Sequence, residues 1–214
     1  MSTSKGRPVR RDSVRNRQLL VEAAREVFAE RGFGATLDDI ARHAGLGTGT
    51  AYRHFPNKQA LAAEVLRDAT EQIVTDAHEA LDVADPWSAL VQFFERVAER
   101  QAADRGLYET LTGQGDRYAQ AEIWPRIVVA VRRLFDRAHE AGTLRADAVA
   151  EDIAAVFALL GPAYAMSRTV HRHLWRRYLI LLLDGLRAEG RTPLPGPPPA
   201  AADLPVLLGT GKQF

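Results

Sequence analysis

Residues 36–61, TLDDIARHAGLGTGTAYRHFPNKQAL, constrain this chain more than any other stretch, because helix starts, stops and apolar spacings are packed into a helix-turn-helix pattern. Thr36 is placed to cap a helix, with Asp39 three residues on as a short capping-box partner, and Leu37, Ile40, Ala41 and Ala44 mark its buried side. Gly45 stops that helix, and Gly45-Leu46-Gly47 sets one apolar side chain between two residues that tolerate positive φ. A second helix is expected over residues 48–54. Its Ala51 shares a face with Phe55, whereas Thr48, Thr50, Arg53 and His54 point elsewhere with hydrogen-bonding groups. Such a helix has the character of one that reads a major groove. Pro56 ends it, and Asn57 is placed to cap a long helix from Lys58.

The segment resembles the DNA-binding domain of the TetR (tetracycline-repressor-like) family of bacterial transcriptional regulators. The likeness rests on Thr36, Ile40, Ala41, Ala44, Gly45, Gly49, Tyr52, Phe55, Lys58 and Leu61, with Ala23-Ala24, Phe28 and Gly32-Phe33 upstream, and covers about residues 15–70. Gly47 stands where the family often has a serine cap, and Thr48 where it often has a lysine aimed at phosphate, so an operator sequence does not transfer. The resemblance implies that Thr36, Thr48, Tyr52 and Lys58 hold phosphates while Gly49, Thr50, Arg53 and His54 lie near base edges. That division is physically sensible, since phosphate contacts set register and groove contacts carry sequence information. Arg53 suits guanine, Gly49 allows close backbone approach, and the Thr50 methyl matches a thymine methyl.

Charge follows the same division. Of the +1 net charge, residues 1–60 contribute eleven Lys/Arg against six Asp/Glu, and the remainder seventeen against twenty-one. Most of the basic excess lies near the start, where Lys5, Arg7, Arg10, Arg11, Arg15 and Arg17 oppose only Asp12; residues 1–14 read as a flexible basic arm attracted to phosphate or serving only as a solubilising tail. This segment has no apolar run of the kind a signal peptide needs, so a cytoplasmic protein is expected. With no cysteine, disulfides, thiolate catalysis and thiolate zinc sites are excluded.

Residues 15–74 are read as the DNA-binding domain and 75–190 as a larger helical domain. One helix should run from Lys58 to about Leu81 and join them, with Leu61, Val65, Leu66, Ala69 and Ile73 at helical spacing. Asp85-Pro86 opens another, with Leu90, Phe93, Phe94 and Val97 in a stripe. Residues 104–116, with Gly106, Gly113 and Gly115, are expected to form a loop or broken helix, the most mobile part of the domain. A helix interrupted by Pro125 follows over residues 118–141 and stops at Gly142. Residues 153–166 carry no charge and are broken only by Gly161-Pro162, and residues 178–183 read YLILLL; both runs fall short of a membrane span, so no membrane partner is expected. Helices apolar all round need cover on several faces, which points to a homodimer interface through the last two helices, with a central core as the competing reading. TetR relatives pair in that way. Residues 191–214, rich in proline and alanine, read as a disordered tail.

The DPWSAL start, the RGL of residues 105–107 and the two apolar closing helices also resemble the C-terminal domain of SbtR-like regulators, one branch of the family. Phe94, Tyr108, Tyr118, Trp124, Phe157 and Tyr164 are candidates to line a pocket for a small-molecule effector, plain core being the alternative for each. Arg126 and Arg168 are candidates for an anionic ligand, with solvated surface as their alternative. No catalytic, cofactor or metal residue is expected: the six histidines lack zinc-protease spacing, no Gly-x-Ser-x-Gly turn occurs, and the glycines at 45, 47 and 49 are not followed by the Gly-Lys-Ser/Thr of a phosphate loop. The expectation is an all-α protein, not an enzyme, with an N-terminal three-helix helix-turn-helix domain and a larger helical ligand-binding and dimerisation domain. It would act as a ligand-responsive repressor that binds a palindromic operator in double-stranded DNA as a homodimer. The alternative is a helical protein-interaction module without DNA binding.

Overall fold

The computed structural model describes residues 7–112, 117–189 and 192–200; for residues 7–11, 110, and 117–123 it describes the backbone alone. Everything regular among the described residues is helical, apart from one antiparallel bridge between Leu144 and Arg187. The DNA-end domain consists of α1 (Arg7–Arg31), a single 3-10 turn (Gly32–Gly34), α2 (Leu37–His43) and α3 (Thr48–His54). α4 (Lys58–Ala80) leads into α5 (Pro86–Ala103), α6 (Arg105–Leu111), α7 (Arg117–Glu140), α8 (Asp152–Leu159), α9 (Gly161–Thr169) and α10 (Leu174–Asp184).

α4 is the spine. Leu61, Val65, Leu66, Ile73 and Ala77 bury one side of it at helical spacing, and it packs on α1 at its start and on α5 and α7 further along. Charged residues lock this packing. Asp76, buried on α4, accepts both Nε (2.9 Å) and Nη2 (3.2 Å) of Arg100 on α5, the bidentate geometry that compensates a buried carboxylate. Arg137 on α7 donates to the carbonyls of Leu81 (2.6 Å) and Val83 (3.1 Å), satisfying acceptors at the C-terminal end of α4. The boundary drawn at residue 74 therefore falls inside one continuous helix that belongs to both domains.

Several expectations are corrected. The arm was expected to stay flexible through residue 14, but helical backbone begins at Arg7: no glycine stands between Gly6 and Gly32, and Pro8 sits in the first turn, where its missing donor costs nothing. Of the two alternatives for residues 104–116, the described part takes the broken helix: α5 ends at Ala103 and α6 restarts at Arg105. Gly106 is there for close packing: a Cβ on it would stand 2.8 Å from the Phe28 Cβ, so α6 lies directly on α1. Residues 113–116 lie outside the described residues. Pro125 does not interrupt α7, which continues through it with the ring exposed. Only Gly45 of the turn glycines uses positive φ (+67°); Gly47 has ordinary extended geometry (φ −68°, ψ 145°). Gly142, at φ +65°, ends α7 as expected.

The tail also begins differently. The backbone after α10 is tied back to the turn following α7, where Arg145 donates to the carbonyls of Gly185 (3.0 Å) and Thr192 (2.7 Å), and Asp147 accepts the Leu194 N–H at 3.1 Å. The Arg145–Asp147 pair thus ties down Thr192 and Leu194, which composition alone assigns to a disordered segment. Residues 201–214 lie outside the described residues.

Candidate nucleic-acid interface

The helix-turn-helix is built by its caps. Thr36 Oγ1 accepts the Asp39 N–H at 3.1 Å, while Asp39 Oδ2 accepts the Thr36 N–H at 3.0 Å and the Thr36 hydroxyl at 2.6 Å. These bonds from Thr36 hold the Asp39 carboxyl below its ordinary pKa. They also engage both donors of Thr36, so a phosphate contact there requires the hydroxyl to turn away from Asp39. After Ala44 the chain reverses through Gly45, and the Leu46 N–H closes on the Ala41 carbonyl at 2.9 Å, packing Leu46 against the core. Gly47 gives α3 no side-chain cap, leaving its first turn to backbone bonds alone.

α3 has two distinct sides. Ala51 (0% exposed) and Phe55, which follows it, are buried, while Thr48, Gly49, Tyr52 (52% exposed) and Arg53 face solvent and Thr50 and His54 are half-buried. Arg53 Nε donates to the Gly49 carbonyl at 3.1 Å, laying the exposed side chain along its own helix. Asn57 accepts the Ala60 N–H at 2.8 Å and starts α4, directing it away from α3.

Arg17, grouped with the basic arm by sequence, is internal architecture. It forms an ion pair with Glu64, stacks over the Phe55 ring (4.4 Å to the centroid) and reaches the His54 carbonyl at 3.4 Å, binding α1 to the end of α3 and to α4. A signal existed: Arg17 stands three residues before Leu20 on the face that continues through Ala24, Val27 and Phe28. Arg15 is exposed, and the side chains of Lys5, Arg7, Arg10 and Arg11 lie outside the described residues.

Lys58, expected at a phosphate, donates to the Phe33 carbonyl at 2.5 Å and keeps two further N–H donors. The Phe33 N–H, in turn, donates to Glu109 Oε2 on α6 at 2.7 Å, and Glu109 Oε1 accepts from Arg105 Nε at 2.7 Å. The backbone at Phe33 is thereby fastened to the start of α4 on one side and to the second domain on the other. Gly32 makes this possible: its φ is +66°, and a Cβ there would meet the Glu109 carboxylate at 2.3 Å. Glu109 was not singled out from sequence, since a carboxylate four residues from an arginine reads as a solvated helix pair.

The candidate pocket aromatics separate into two groups. Phe94 and Phe157 are buried against each other (5.4 Å between centroids), and buried Trp124 donates its Nε1 proton to the Leu111 carbonyl at 3.2 Å. Tyr108 and Tyr164 instead meet edge to face at 5.5 Å beside a cleft of about 370 Å³ between α5, α6 and α9. The Tyr118 side chain lies outside the described residues. Burial pushes the Tyr164 hydroxyl well above the usual phenol range, so it stays protonated. Arg126 and Arg168 are both exposed, Arg168 at the rim of this cleft.

A helix-turn-helix whose second helix shows polar groups outward, mounted on a larger helical body, defines a DNA-binding regulator. Residues 20–65 match the family described as bacterial regulatory proteins, tetR family, and residues 85–188 match the SbtR-like transcriptional regulator C-terminal domain. A TetR transcription regulatory protein from Mycobacterium vanbaalenii is 35% identical in structural alignment, over 84% of this chain and 99% of that one, with a TM-score of 0.51. The HTH-type transcriptional regulator AlkX of Mycobacterium tuberculosis is 33% identical over 100 residues, 45% of this chain and 47% of that protein. The chain spans about a third to somewhat over half of the length of the curated relatives it matches. The transcriptional regulator FadR of Bacillus subtilis, solved in complex with stearoyl-CoA, shares the fold at 20% identity, 79% of this chain, 98% of that one and a TM-score of 0.62.

The chain belongs to the TetR family of bacterial transcriptional regulators, whose members are DNA-binding proteins and not enzymes. No helix among the described residues is long and apolar enough to cross a membrane.

Proposed function

We propose that this chain represses transcription as a homodimer on a palindromic operator, acts in the cytoplasm, and responds to a small-molecule effector held in its second domain. The observation that carries the DNA reading is the two-sided α3, seated on buried Ala51 and Phe55 and exposing Thr48, Gly49, Tyr52 and Arg53. Thr36, Thr48, Tyr52 and Lys58 take the phosphates in this reading, and Gly49, Thr50, Arg53 and His54 face the bases. Two such heads read half-sites one helical turn apart, roughly 34–36 Å, or a little more.

Pairing is supported by an uncovered apolar stripe. Leu159, Pro162, Met166 and Val170 follow at intervals of three, four and four residues, and the backbone stays in the α region through Leu160, so they share a side of α8–α9. Leu159 is 65% and Val170 74% exposed, and Tyr178 and Leu181 add exposed apolar groups on neighbouring α10. Effector binding is supported by a fold in which FadR accommodates stearoyl-CoA and by the Tyr108–Tyr164 cleft of this chain.

Selection of genomic fragments bound by the full chain, followed by anisotropy titration of a recovered duplex against random competitor, tests the proposal. We expect two chains per palindrome and an affinity that falls steeply with salt. Equal binding to the competitor would reject DNA recognition and leave a protein-interaction module as the reading.

A further inference from the structure

The cleft between α5, α6 and α9 contains an unfinished hydrogen-bonding arrangement. Gln101 on α5 is 1% exposed, its Oε1 accepts the Tyr164 hydroxyl at 3.3 Å, and its Nε2 is the buried side-chain nitrogen without a partner among the described residues. A tyrosine hydroxyl can donate or accept, so turning the amide over would exchange which atom is bonded and still leave one buried polar atom of Gln101 without a partner. A buried amide left unpaired costs about 1–3 kcal/mol, a reason to expect an acceptor there in the working protein. The Tyr108 and Tyr164 rings, Pro162 and Ala165 supply the apolar part of a lining that charged side chains complete, and a cleft of about 370 Å³ suits a small molecule.

Charge at the cleft is unbalanced. Arg105 and Arg168 stand against a single carboxylate, Glu109, which already accepts from Arg105 at 2.7 Å and from the Phe33 N–H at 2.7 Å. Arg168 has no ion-pair partner among the described residues. Two guanidinia and one carboxylate leave room for one more negative charge, and guanidinium is the group that grips a carboxylate best.

We propose that this cleft binds a small flat carboxylic acid, its carboxylate held by Arg168 and Arg105 at the rim and an oxygen at its far end accepting from Gln101 Nε2. Resting on the regulator reading above, we further infer that Glu109 relays occupancy. An acid that draws Arg105 toward itself weakens the compensation of a carboxylate that is 7% exposed and grips the backbone at Phe33, the point where Lys58 also fastens the DNA-end domain to α4. The coupling is reciprocal, so DNA and acid alter each other's affinity by one common factor.

Calorimetric titration of the full chain with 4-hydroxybenzoate, and with neutral 4-hydroxybenzyl alcohol as its match in shape, tests the site. The acid should bind once per chain and the alcohol about tenfold more weakly or worse. Arg168→Gln, a surface change, should weaken the acid about tenfold and leave the alcohol unaffected. Gln101→Leu should weaken both, its folding checked by melting temperature; should it fail to fold, Arg168→Gln still decides. No heat from the acid, equal affinity for acid and alcohol, or an unaffected Arg168→Gln protein would overturn the site.

On the selected duplex, the acid should shift DNA affinity several-fold, and Glu109→Gln should abolish that shift while still binding acid. A shift that survives Glu109→Gln would overturn the relay. Acid binding by a protein with no duplex preference would defeat the regulator reading and leave the cleft standing. Operator binding with no acid binding would do the reverse.

Discussion

Arg53 is exposed on α3 with its Nε engaged by the Gly49 carbonyl, which leaves the two terminal nitrogens as donors for the guanine edge assigned to it in the proposed complex. Replacement by alanine removes no packing, because the side chain is exposed. Arg53→Ala should therefore leave thermal stability unchanged, weaken operator binding by about 1–3 kcal/mol and relax preference at one position per half-site, as read from titrations of single-base operator variants. Asp147 acts on stability instead. Its bonds from Arg145, and then from the Leu194 N–H, hold the carboxyl down from 3.8 to about 2. A depressed carboxyl contributes stability above its unfolded value and loses it as pH falls through the folded one. Urea midpoints measured between pH 4 and pH 2 should thus fall less steeply for Asp147→Asn than for the wild-type chain.

At the scale of elements, α6 is the piece whose packing role the sequence conceals and the fold depends on. Its contacts with the DNA-end domain include the Gly106–Phe28 approach, the Glu109–Phe33 bond and the Glu109 carboxylate lying over Gly32. Gly32 answers two demands together, left-handed backbone and space for that carboxylate. Gly32→Ala should destabilise the chain by about 1–2 kcal/mol from the backbone conformation, with a further loss from collision with Glu109. In urea melts, adding Glu109→Ala should recover the collision part alone, so the two changes should be non-additive. Strict additivity would show that the carboxylate does not restrain residue 32.

At the scale of the whole molecule, α8, α9 and α10 leave Leu159, Met166, Val170, Tyr178 and Leu181 uncovered in one chain, more large apolar surface than elsewhere on the described helices. In the proposed homodimer a second copy would offer the same stripe in return, as two-fold symmetry requires. Leu159→Glu with Leu181→Glu changes only exposed positions and should keep the helical circular dichroism while light scattering reports a halved mass. Affinity for the full palindrome should then fall toward that of one half-site. A double variant that remains dimeric would move the interface to another face.

The sequence by itself determined the reading head. Thr36, Asp39, Gly45, Asn57 and the Ala51–Phe55 spacing act within a few residues of one another, so caps, turn and the two sides of α3 follow from local physics. The helical class and the ends of α4, α5 and α7 were legible for the same reason. Tertiary structure alone decided what long-range partners do: that Arg17 serves Phe55 and Glu64 in place of a phosphate, that Arg145 holds the first tail residues, and that Glu109 joins two domains. Phe94 and Phe157 close on each other while Tyr108 and Tyr164 border open space, a difference invisible to helical periodicity. A side chain's identity fixes which bonds it can form, but whether water, a neighbour or a distant helix takes them depends on which surfaces the packed chain brings within about 3 Å.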